Sequence, residues 1–262
     1  MTGEDLLPAV AELATIVGKT ALGFYGRNVD VETKGDGSPV TAADRAAETV
    51  AREWIESRFP LDGILGEEFG ATRPDARRRW LVDPIDGTRT FVRKVPLWGT
   101  LVAVAEGTRI VAGAACFPAV NEIIVAAPGL GCWHNDSRCS TSKVAQLSSA
   151  TVLVTDDRFR GNEERATAWR ELASQSAVAR TWGDCYGYLL VATGRAEVMV
   201  DDVVSPWDAA AFLPIITEAG GSFTDWKGEA TAFGGDVIAS NALLTVPVRR
   251  ILIGSDYAES AA

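Results

Sequence analysis

The sequence predicts a mixed fold, of the α+β type in its first half and of the α/β type in its second. Two amphipathic helical segments precede a group of apolar segments separated by short turns, and after residue 146 apolar and helical segments alternate. These two patterns are typical of the two classes. No repeat, low-complexity tract or long linker interrupts the chain. We therefore predict an N-terminal α+β subdomain, residues 1–146, and a C-terminal α/β subdomain, residues 147–262.

Two helices are predicted at the start of the chain. The first is indicated by apolar residues that recur at helical spacing, namely Leu6, Val10, Leu13, Val17 and Phe24. The second is predicted from Thr41 to Phe59, and its inner face is expected to carry Val50, Trp54 and Ile55. The segment Thr41-Ala-Ala-Asp44 has the form of a capping box, which would explain Asp44 as a helix-terminus residue.

Apolar segments predict the strands of the first half. Residues 64–66 read as a short apolar segment that runs into Glu67 and Glu68. Residues 80–82 read as the end of a buried strand that Pro84 stops, because proline has no N–H to donate. Residues 97–104 and 110–117 read as buried strands, and residues 121–126 and 131–135 extend a largely antiparallel meander.

Strands and helices alternate in the second half. Strands are predicted at residues 152–154, 179–182, 198–200 and 237–239, and helices at residues 163–174, 186–193 and 206–219. The last of these helices has Ser205 at its N-cap and Pro206 at its first position, which are both typical of a helix start. Gly220 and Gly221 are expected to end it.

The composition limits the classes of partner. A chain of 262 residues with 47% hydrophobic residues can bury a substantial core, and its net charge of −10 disfavours a nucleic-acid-binding surface, which needs clustered Lys and Arg. No apolar run reaches the length of a membrane span, and the first residues lack the basic region of a signal peptide. We therefore expect a cytoplasmic protein with neither nucleic acid nor membrane as a partner.

The cysteines and the histidine argue against two kinds of site. None of the cysteines shows Cys-x-x-Cys spacing, so reduced structural thiols are expected at Cys116, Cys132, Cys139 and Cys185. The sequence contains one histidine, His134, which excludes a His-based triad and a metal site with several histidines. Because an Asn-Asp pair follows it, His134 is expected in an exposed turn.

Four carboxylates stand where strands end or helices begin. Asp83 and Asp86 follow a buried strand, Glu67 follows another short apolar run, and Asp208 lies in the first turn of a predicted helix. Carboxylates that leave an apolar strand are costly to desolvate unless a cation neutralises them. Oxygen ligands suit Mg²⁺, which also binds substrate phosphate oxygens. The combination indicates metal-assisted phosphoryl transfer.

Each of these acids also has a structural explanation. Pro-Ile-Asp-Gly, which contains Asp86, is a good turn sequence. Adjacent acids such as Glu67 and Glu68 are usually solvated, and Asp208, like Asp44, occupies a capping-box position. The metal hypothesis therefore depends on the acids meeting in one place.

Several motifs resemble those of the inositol monophosphatase family, in order and approximate spacing, over nearly the whole chain. They are Gly66-Glu67-Glu68, Asp83-Pro84-Ile85-Asp86-Gly87-Thr88, Trp207-Asp208-Ala209-Ala210 and Glu218-Ala219-Gly220-Gly221. The resemblance implies a layered αβαβα fold, a Mg²⁺-dependent phosphatase that acts on a small-molecule phosphate monoester, and a homodimer.

The resemblance also implies roles for individual residues. Two or three Mg²⁺ ions would be held by Glu67, Asp83, the Ile85 carbonyl, Asp86 and Asp208. Glu67, Thr88 and Asp44 would be catalytic, the last two by orienting the water for in-line attack. The substrate would contact Asp86, Gly87, Thr88, Arg89 and Asp208, with the backbone at Gly87 and Thr88 holding the phosphate. No covalent enzyme intermediate would be required.

Two segments depart from the inositol-specific pattern. Arg89-Thr90-Phe91 stands where the family usually has Thr-Asn-Phe two residues after the glycine, and residues 182–188 replace a Gly-Ser/Thr-Ala-Ala segment. With residues 96–100, they resemble the histidinol-phosphate phosphatases of the family. Asp184 could then pair with the ammonium or imidazole of histidinol, and Asp201 would face the alcohol moiety. Helix capping is the structural alternative for Asp184.

Three other functions stay open. The protein could act on inositol 1-phosphate or on several sugar phosphates. A phosphatase with an aspartyl nucleophile is disfavoured because such enzymes typically present Asp-x-Asp, whereas this chain has Asp-x-x-Asp. A non-catalytic regulatory protein could have the same fold, although every expected metal ligand is present.

Overall fold

The computed structural model describes residues 3–27, 31–33, 35 and 39–254. Its helices are α1 (Gly3–Leu22), α2 (Ala42–Arg58), α3 (Thr88–Val92), α4 (Glu163–Gln175), α5 (Asp184–Ala192), α6 (Pro206–Ala209), α7 (Phe212–Glu218) and α8 (Thr245–Ile253). The strands of the first half are β1 (Val31–Thr33), β2 (Pro39–Thr41), β3 (Gly63–Gly66), β4 (Gly70–Thr72), β5 (Arg78–Asp86), β6 (Gly99–Glu106), β7 (Arg109–Phe117), β8 (Glu122–Ala127), β9 (Gly131–His134) and β10 (Ser137–Arg138). Those of the second half are β11 (Thr151–Val154), β12 (Val178–Arg180), β13 (Val198–Asp201), β14 (Gly221–Thr224) and β15 (Val237–Asn241).

The strands form two large sheets and a small one. The eight-stranded sheet has the order β10-β9-β8-β7-β6-β5-β3-β4 and is antiparallel except where β3 runs parallel to β5. The five-stranded sheet has the order β12-β11-β13-β15-β14, with β11 parallel to β12 and β13. Strands β1 and β2 form a two-stranded sheet. The antiparallel meander predicted for the first half is confirmed.

Three buried clusters show that helices and sheets alternate in five layers. Helices α1 and α2 pack on the outer face of the eight-stranded sheet, α5 and α7 fill the space between the two large sheets, and α4 and α8 cover the far face of the five-stranded sheet. Along β5, Trp80 and Val82 face the cluster that contains α1 and α2, while Leu81 faces the cluster that contains α5 and α7. Because both faces of β5 are covered, its sequence is continuously apolar there. The layered αβαβα fold is confirmed.

The predicted end of a strand at Pro84 is wrong. Strand β5 continues to Asp86, and its pairing with β6 shifts register between Asp83 and Asp86. The missing N–H of Pro84 costs no ladder bond within this irregularity, and the Pro84 carbonyl accepts a hydrogen bond from Thr100 Oγ1 at 2.7 Å. The strand thus continues through a bulge that lies between its two acids.

Other elements differ from prediction in extent. The single helix predicted for residues 206–219 is broken into α6 and α7. On α2, the fully buried apolar positions are Ala43, Ala47, Ala51 and Ile55, whereas Val50 and Trp54 are only half-buried. Small residues form the inner face because α2 packs closely against α1 and β5. Strands β1, β2, β4, β10 and β14 and helices α3 and α8 were not predicted, since they are short or lack clear periodicity.

The histidine and cysteine predictions have mixed outcomes. His134 is the last residue of β9 and is half-buried, with its Nε2 2.8 Å from Glu122 Oε2, so the exposed-turn prediction is wrong. All four cysteines are free, as predicted. Within the described residues no helix is long and apolar enough to cross a bilayer. The subdomain division at residue 146 stays a prediction.

Candidate active site

A cavity of about 1120 Å³ opens between the two large sheets where β5 and β13 end. Its lining includes ten of the eleven residues predicted for the site, namely Glu67, Asp83, Ile85, Asp86, Gly87, Thr88, Arg89, Asp184, Asp201 and Asp208. Asp44 lies buried behind Thr88, whose Oγ1 is 3.4 Å from Asp44 Oδ1. The structure therefore brings together residues that are far apart in the chain.

Three of the carboxylates converge closely. One oxygen from each of Asp83, Asp86 and Asp208 can be chosen so that all three lie within 4.8 Å of one another. The backbone fixes each side chain. Ile85 N–H donates to Asp83 Oδ1 at 2.9 Å, Cys185 N–H to Asp86 Oδ2 at 2.5 Å, and Ser205 N–H to Asp208 Oδ2 at 2.7 Å. The cluster thus combines the bulge of β5 with the first turns of α5 and α6.

Capping and participation in the site are compatible for the two helix-start acids. Asp208 forms the capping box of α6 and also belongs to the cluster. Asp44 Oδ2 accepts hydrogen bonds from Thr41 N–H at 2.8 Å and Thr41 Oγ1 at 2.6 Å, which leaves Oδ1 facing Thr88. Because a carboxylate has two oxygens, one can cap the helix while the other is directed to Thr88, as in Asp44, or to the cluster, as in Asp208.

The electrostatics of the cluster disfavour several negative charges at once. Burial raises the pKa of Asp83 well above its usual value, and the charges of Glu67, Asp86 and Asp208 raise it further. Burial likewise raises the pKa of Asp86, with the Asp184 and Asp208 charges adding to the effect. Burial raises the pKa of Asp208 to about 7. Such a group of acids is unfavourable unless protons or a cation neutralise it.

The donor set of the cluster fits a hard divalent cation. Its side-chain donors are carboxylate oxygens, and Glu67 is close enough to Asp83 to form a side-chain hydrogen bond with it. Mg²⁺ and Ca²⁺ prefer oxygen donors, whereas zinc sites usually contain thiolate or imidazole. Cys185 approaches the cluster, but burial and the Asp86 charge raise the pKa of its thiol well above the usual value, so it stays protonated. The acidic cluster could therefore hold a metal ion.

The turn after β5 forms the floor of the cavity. Gly87 has a φ of 84°, the left-handed conformation that glycine adopts without strain, and it is the N-cap of α3. Thr88 Oγ1 donates to the Ile85 carbonyl at 3.0 Å. The turn therefore places the Thr88 hydroxyl between this carbonyl and Asp44.

Asp184 lies directly over this turn. A Cβ built on Gly87 would be 3.3 Å from Asp184 Oδ2, which also accepts a 3.3 Å hydrogen bond from Thr90 Oγ1. The N-cap of α5 is Gly183, so Asp184 does not cap the helix with its side chain. Its φ of 47° is unusual for a residue other than glycine, and burial raises its pKa although Thr90 and Arg89 oppose the shift.

Asp201 lies deeper in the cavity and already has partners. Tyr188 Oη donates to Asp201 Oδ2 at 2.6 Å, and Thr155 N–H donates to Oδ1 at 3.3 Å. Burial raises the pKa of Asp201 to about 7, although both hydrogen bonds oppose the shift. Tyr188 was not predicted as a site residue, because an apolar helix such as α5 gives no signal that one of its tyrosines faces a carboxylate.

Comparison with known proteins gives consistent results. The model of the inositol monophosphatase family matches residues 3–261. The chain is 41% identical over 240 residues to a histidinol-phosphatase of Chlorobaculum parvum, covering 90% of this chain and 93% of that one. It is 36% identical over 259 residues to a histidinol-phosphatase of Mycobacterium tuberculosis, covering 93% and 96% of the two chains. Among solved structures, the extragenic suppressor protein SuhB of Bartonella henselae superposes with a TM-score of 0.89 at 28% identity, covering 95% of this chain and 98% of that one.

Proposed function

Since this chain belongs to the inositol monophosphatase family and is a phosphoric monoester hydrolase, we propose that it hydrolyses L-histidinol phosphate to L-histidinol and phosphate. Two relatives that carry the name histidinol-phosphatase match it over at least 90% of its length. The observation that carries the proposal is the carboxylate of Asp184, which stands beside the cluster of Asp83, Asp86 and Asp208. A substrate with phosphate at one end and a cation at the other suits this arrangement.

We propose that two or three Mg²⁺ ions occupy the acidic cluster. Glu67, Asp83, Asp86, Asp208 and the Ile85 carbonyl would hold them, because these oxygens share the cavity and the side chains among them belong to one charge cluster. When bound, the ions supply Lewis-acid stabilisation of the phosphate, the attacking oxygen and the leaving alkoxide.

The residues behind the turn would position the attacking water. Thr88 Oγ1 lies between the Ile85 carbonyl and Asp44, and Asp44 is held in place by Thr41. Thr88 and Asp44 therefore form a fixed hydrogen-bonding surface that can hold a water in line with the phosphate. The backbone at Gly87 and Thr88 would hold the phosphate oxygens. Glu67 would be the third catalytic residue, together with Thr88 and Asp44.

The far side of the cavity would bind the histidinol moiety. Asp184 would pair with the ammonium or the imidazole, since its carboxylate lines the cavity close enough to Asp86 to raise the pKa of that acid. The nearby Arg89 lowers the pKa of Asp184, but burial outweighs this effect and the pKa stays raised. The carboxylate of Asp201 would face the alcohol moiety, and the hydrogen bond from Tyr188 Oη would orient that carboxylate. Arg158 does not make the rim cationic, because it pairs with Asp156 at 2.7 Å.

A substrate panel tests the proposal directly. We expect phosphate release from L-histidinol phosphate to be faster than from inositol 1-phosphate at a fixed Mg²⁺ concentration, and EDTA to abolish both. Much faster turnover of inositol 1-phosphate would make the protein an inositol monophosphatase instead. No Mg²⁺-dependent release from any phosphate monoester would favour a non-catalytic protein.

Substitution of Asp184 tests substrate recognition. Asp184→Ala is expected to raise KM for L-histidinol phosphate while sparing 4-nitrophenyl phosphate, which has no cation to bind. Asp157→Ala is the matched control, because Asp157 is an exposed acid on the rim of the same cavity. Equal losses on both substrates for Asp184→Ala would indicate a structural role.

Three further features are part of the proposed function. They are a homodimer, a cytoplasmic location and a place in histidine biosynthesis, where histidinol phosphate is the substrate of the phosphatase step. Size-exclusion chromatography with light scattering tests the first of these.

A further inference from the structure

Glu48 is a fully buried carboxylate that the proposed reaction does not use. It lies on α2 one turn after Asp44, and its exposed fraction is 0%. Its oxygens face the segment between β3 and β4, where Oε2 accepts a hydrogen bond from Glu68 N–H at 2.7 Å and Oε1 accepts one from Phe69 N–H at 3.2 Å. A buried charge with these partners fixes the main chain that it binds.

Arg52 completes the contact between α2 and this segment. Its guanidinium pairs with Glu48 Oε1 at 2.8 Å. The same guanidinium donates to the Gly70 carbonyl at 2.5 Å and to Thr72 Oγ1 at 2.8 Å. The pair therefore bonds to residues 68 and 69 of the β3–β4 connection and to residues 70 and 72 of β4. It links a long helix to the short connection between two strands.

The residue held between these contacts is Glu67. On its N-terminal side, the Glu48 carboxylate packs so closely on Gly66 that a Cβ built there would lie 2.0 Å from Oε1. On its C-terminal side, Glu68 donates to Glu48. The N–H of Glu67 itself donates to the Val82 carbonyl at 3.2 Å, next to Asp83. The backbone of Glu67 is thus fixed on both sides relative to the acidic cluster.

We propose that Glu48, together with Arg52, is a positioning residue that sets the metal affinity of the site by holding Glu67 towards Asp83. The inference rests on the proposed function insofar as it assigns a metal to the cluster. Glu48 is not among the residues that line the cavity, and it acts through the main chain of residues 66–70. Removing a residue that orients a metal ligand typically lowers metal affinity by about 10- to 100-fold.

The test compares the wild type with Glu48→Gln, which keeps the shape of the side chain but removes its charge. Glu53→Gln is the matched control, because Glu53 is exposed on the same helix. Calorimetric titration with MgCl₂ measures affinity without substrate, and hydrogen exchange followed by mass spectrometry measures protection of residues 66–70. Hydrolysis of 4-nitrophenyl phosphate over a range of Mg²⁺ concentrations separates metal affinity from kcat.

For Glu48→Gln we expect Mg²⁺ affinity about 10- to 100-fold weaker, faster exchange confined to residues 66–70, and kcat close to wild type at saturating Mg²⁺. The inference is overturned if Glu48→Gln binds Mg²⁺ as tightly as the wild type, or if exchange rises equally throughout the protein. Should Glu48→Gln fail to fold, Arg52→Gln decides, since wild-type affinity in that variant would also overturn the inference.

The proposed substrate and the proposed role of Glu48 can be refuted by different results. A wild type that binds Mg²⁺ but does not hydrolyse L-histidinol phosphate refutes the proposed substrate, while the affinity of Glu48→Gln still decides the role of Glu48. A wild type that binds no Mg²⁺ overturns both.

Discussion

Asp83→Asn is expected to make the metal-free protein more stable. Asp83 is buried, and its charge lies among those of Glu67, Asp86 and Asp208. Asparagine has nearly the same shape and keeps the oxygen that accepts the hydrogen bond from Ile85 N–H. The substitution therefore removes repulsion and a desolvation cost with little change in packing.

The size of the effect follows from the geometry. Two unit charges 4.8 Å apart repel each other by about 3.5 kcal/mol at an effective dielectric constant of about 20. The wild type can avoid this repulsion by protonating one carboxyl. For an aspartate with the ordinary pKa, protonation at about pH 7.5 costs about 5 kcal/mol, so the stability gained by Asp83→Asn cannot exceed this value. We expect a gain of about 3 kcal/mol, or roughly 6–12 °C in Tm for a protein of this size.

Magnesium should reduce this difference. At a Mg²⁺ concentration of about 100 Kd the wild type gains about 2.7 kcal/mol, whereas Asp83→Asn has lost a ligand and gains little. Urea unfolding in EDTA and in MgCl₂ measures both values. Asp83→Asn should also lose most of its phosphatase activity.

A buried acid outside the cluster is the control. Asp225 accepts hydrogen bonds from Lys227 N–H at 2.9 Å and Glu229 N–H at 2.8 Å, and it is equally buried. Asp225→Asn should not gain stability in EDTA or change the response to Mg²⁺. The reasoning is wrong if Asp83→Asn is less stable than the wild type in EDTA, or if Mg²⁺ stabilises Asp83→Asn and the wild type equally. Either result would mean that repulsion between Asp83 and its acidic neighbours does not destabilise the metal-free protein.

Two more predictions concern the scaffold. Gly113→Ala should lose about 1–3 kcal/mol in urea unfolding, because its Cβ would lie 2.4 Å from the Ala211 carbonyl, whereas Gly3→Ala makes only ordinary contacts and should not lose stability. Burial tends to raise the pKa of Glu122, but hydrogen bonds with Arg195 and other partners outweigh it and lower that pKa. Its stabilising effect is therefore present above the unfolded-state pKa and is lost as pH falls through the lower folded-state pKa. Glu122→Gln should be less stable than the wild type at neutral pH, and this difference should shrink on acidification to about pH 3; a constant difference would contradict the assignment.

Part of the fold could be predicted because its signals are local. Helical periodicity identified α1, and alternation of apolar and helical segments identified the second half. The acids of the candidate cluster were predicted by position, since Asp83 and Asp86 lie in the last four residues of β5 and Asp208 lies in the first turn of α6. The local sequence pattern also gave each acid a structural explanation, such as helix capping for Asp208. Only the three-dimensional distances show that Asp208 caps a helix and also lies close to Asp83 and Asp86.

The remainder depends on contacts that are distant in sequence. A proline usually marks the end of a strand, and the continuation of β5 through Pro84 follows from the irregular pairing with β6. Glu48 resembles any exposed helix residue in sequence, because the amides that it binds lie 20 and 21 positions away. The close approach of Gly113 to Ala211 is likewise invisible without the packing of the sheet on the helices.

The origin of the cluster has a consequence for biosynthesis. Asp83 and Asp86 come from the eight-stranded sheet, and Asp208 starts a helix that follows β13 of the five-stranded sheet. While the ribosome is still making the second half, the nascent chain lacks Asp208, which is one of the three carboxylates of the cluster. The cluster is therefore complete only when the two sheets have packed on each other, so a cation bound by all three carboxylates would stabilise only correctly assembled molecules.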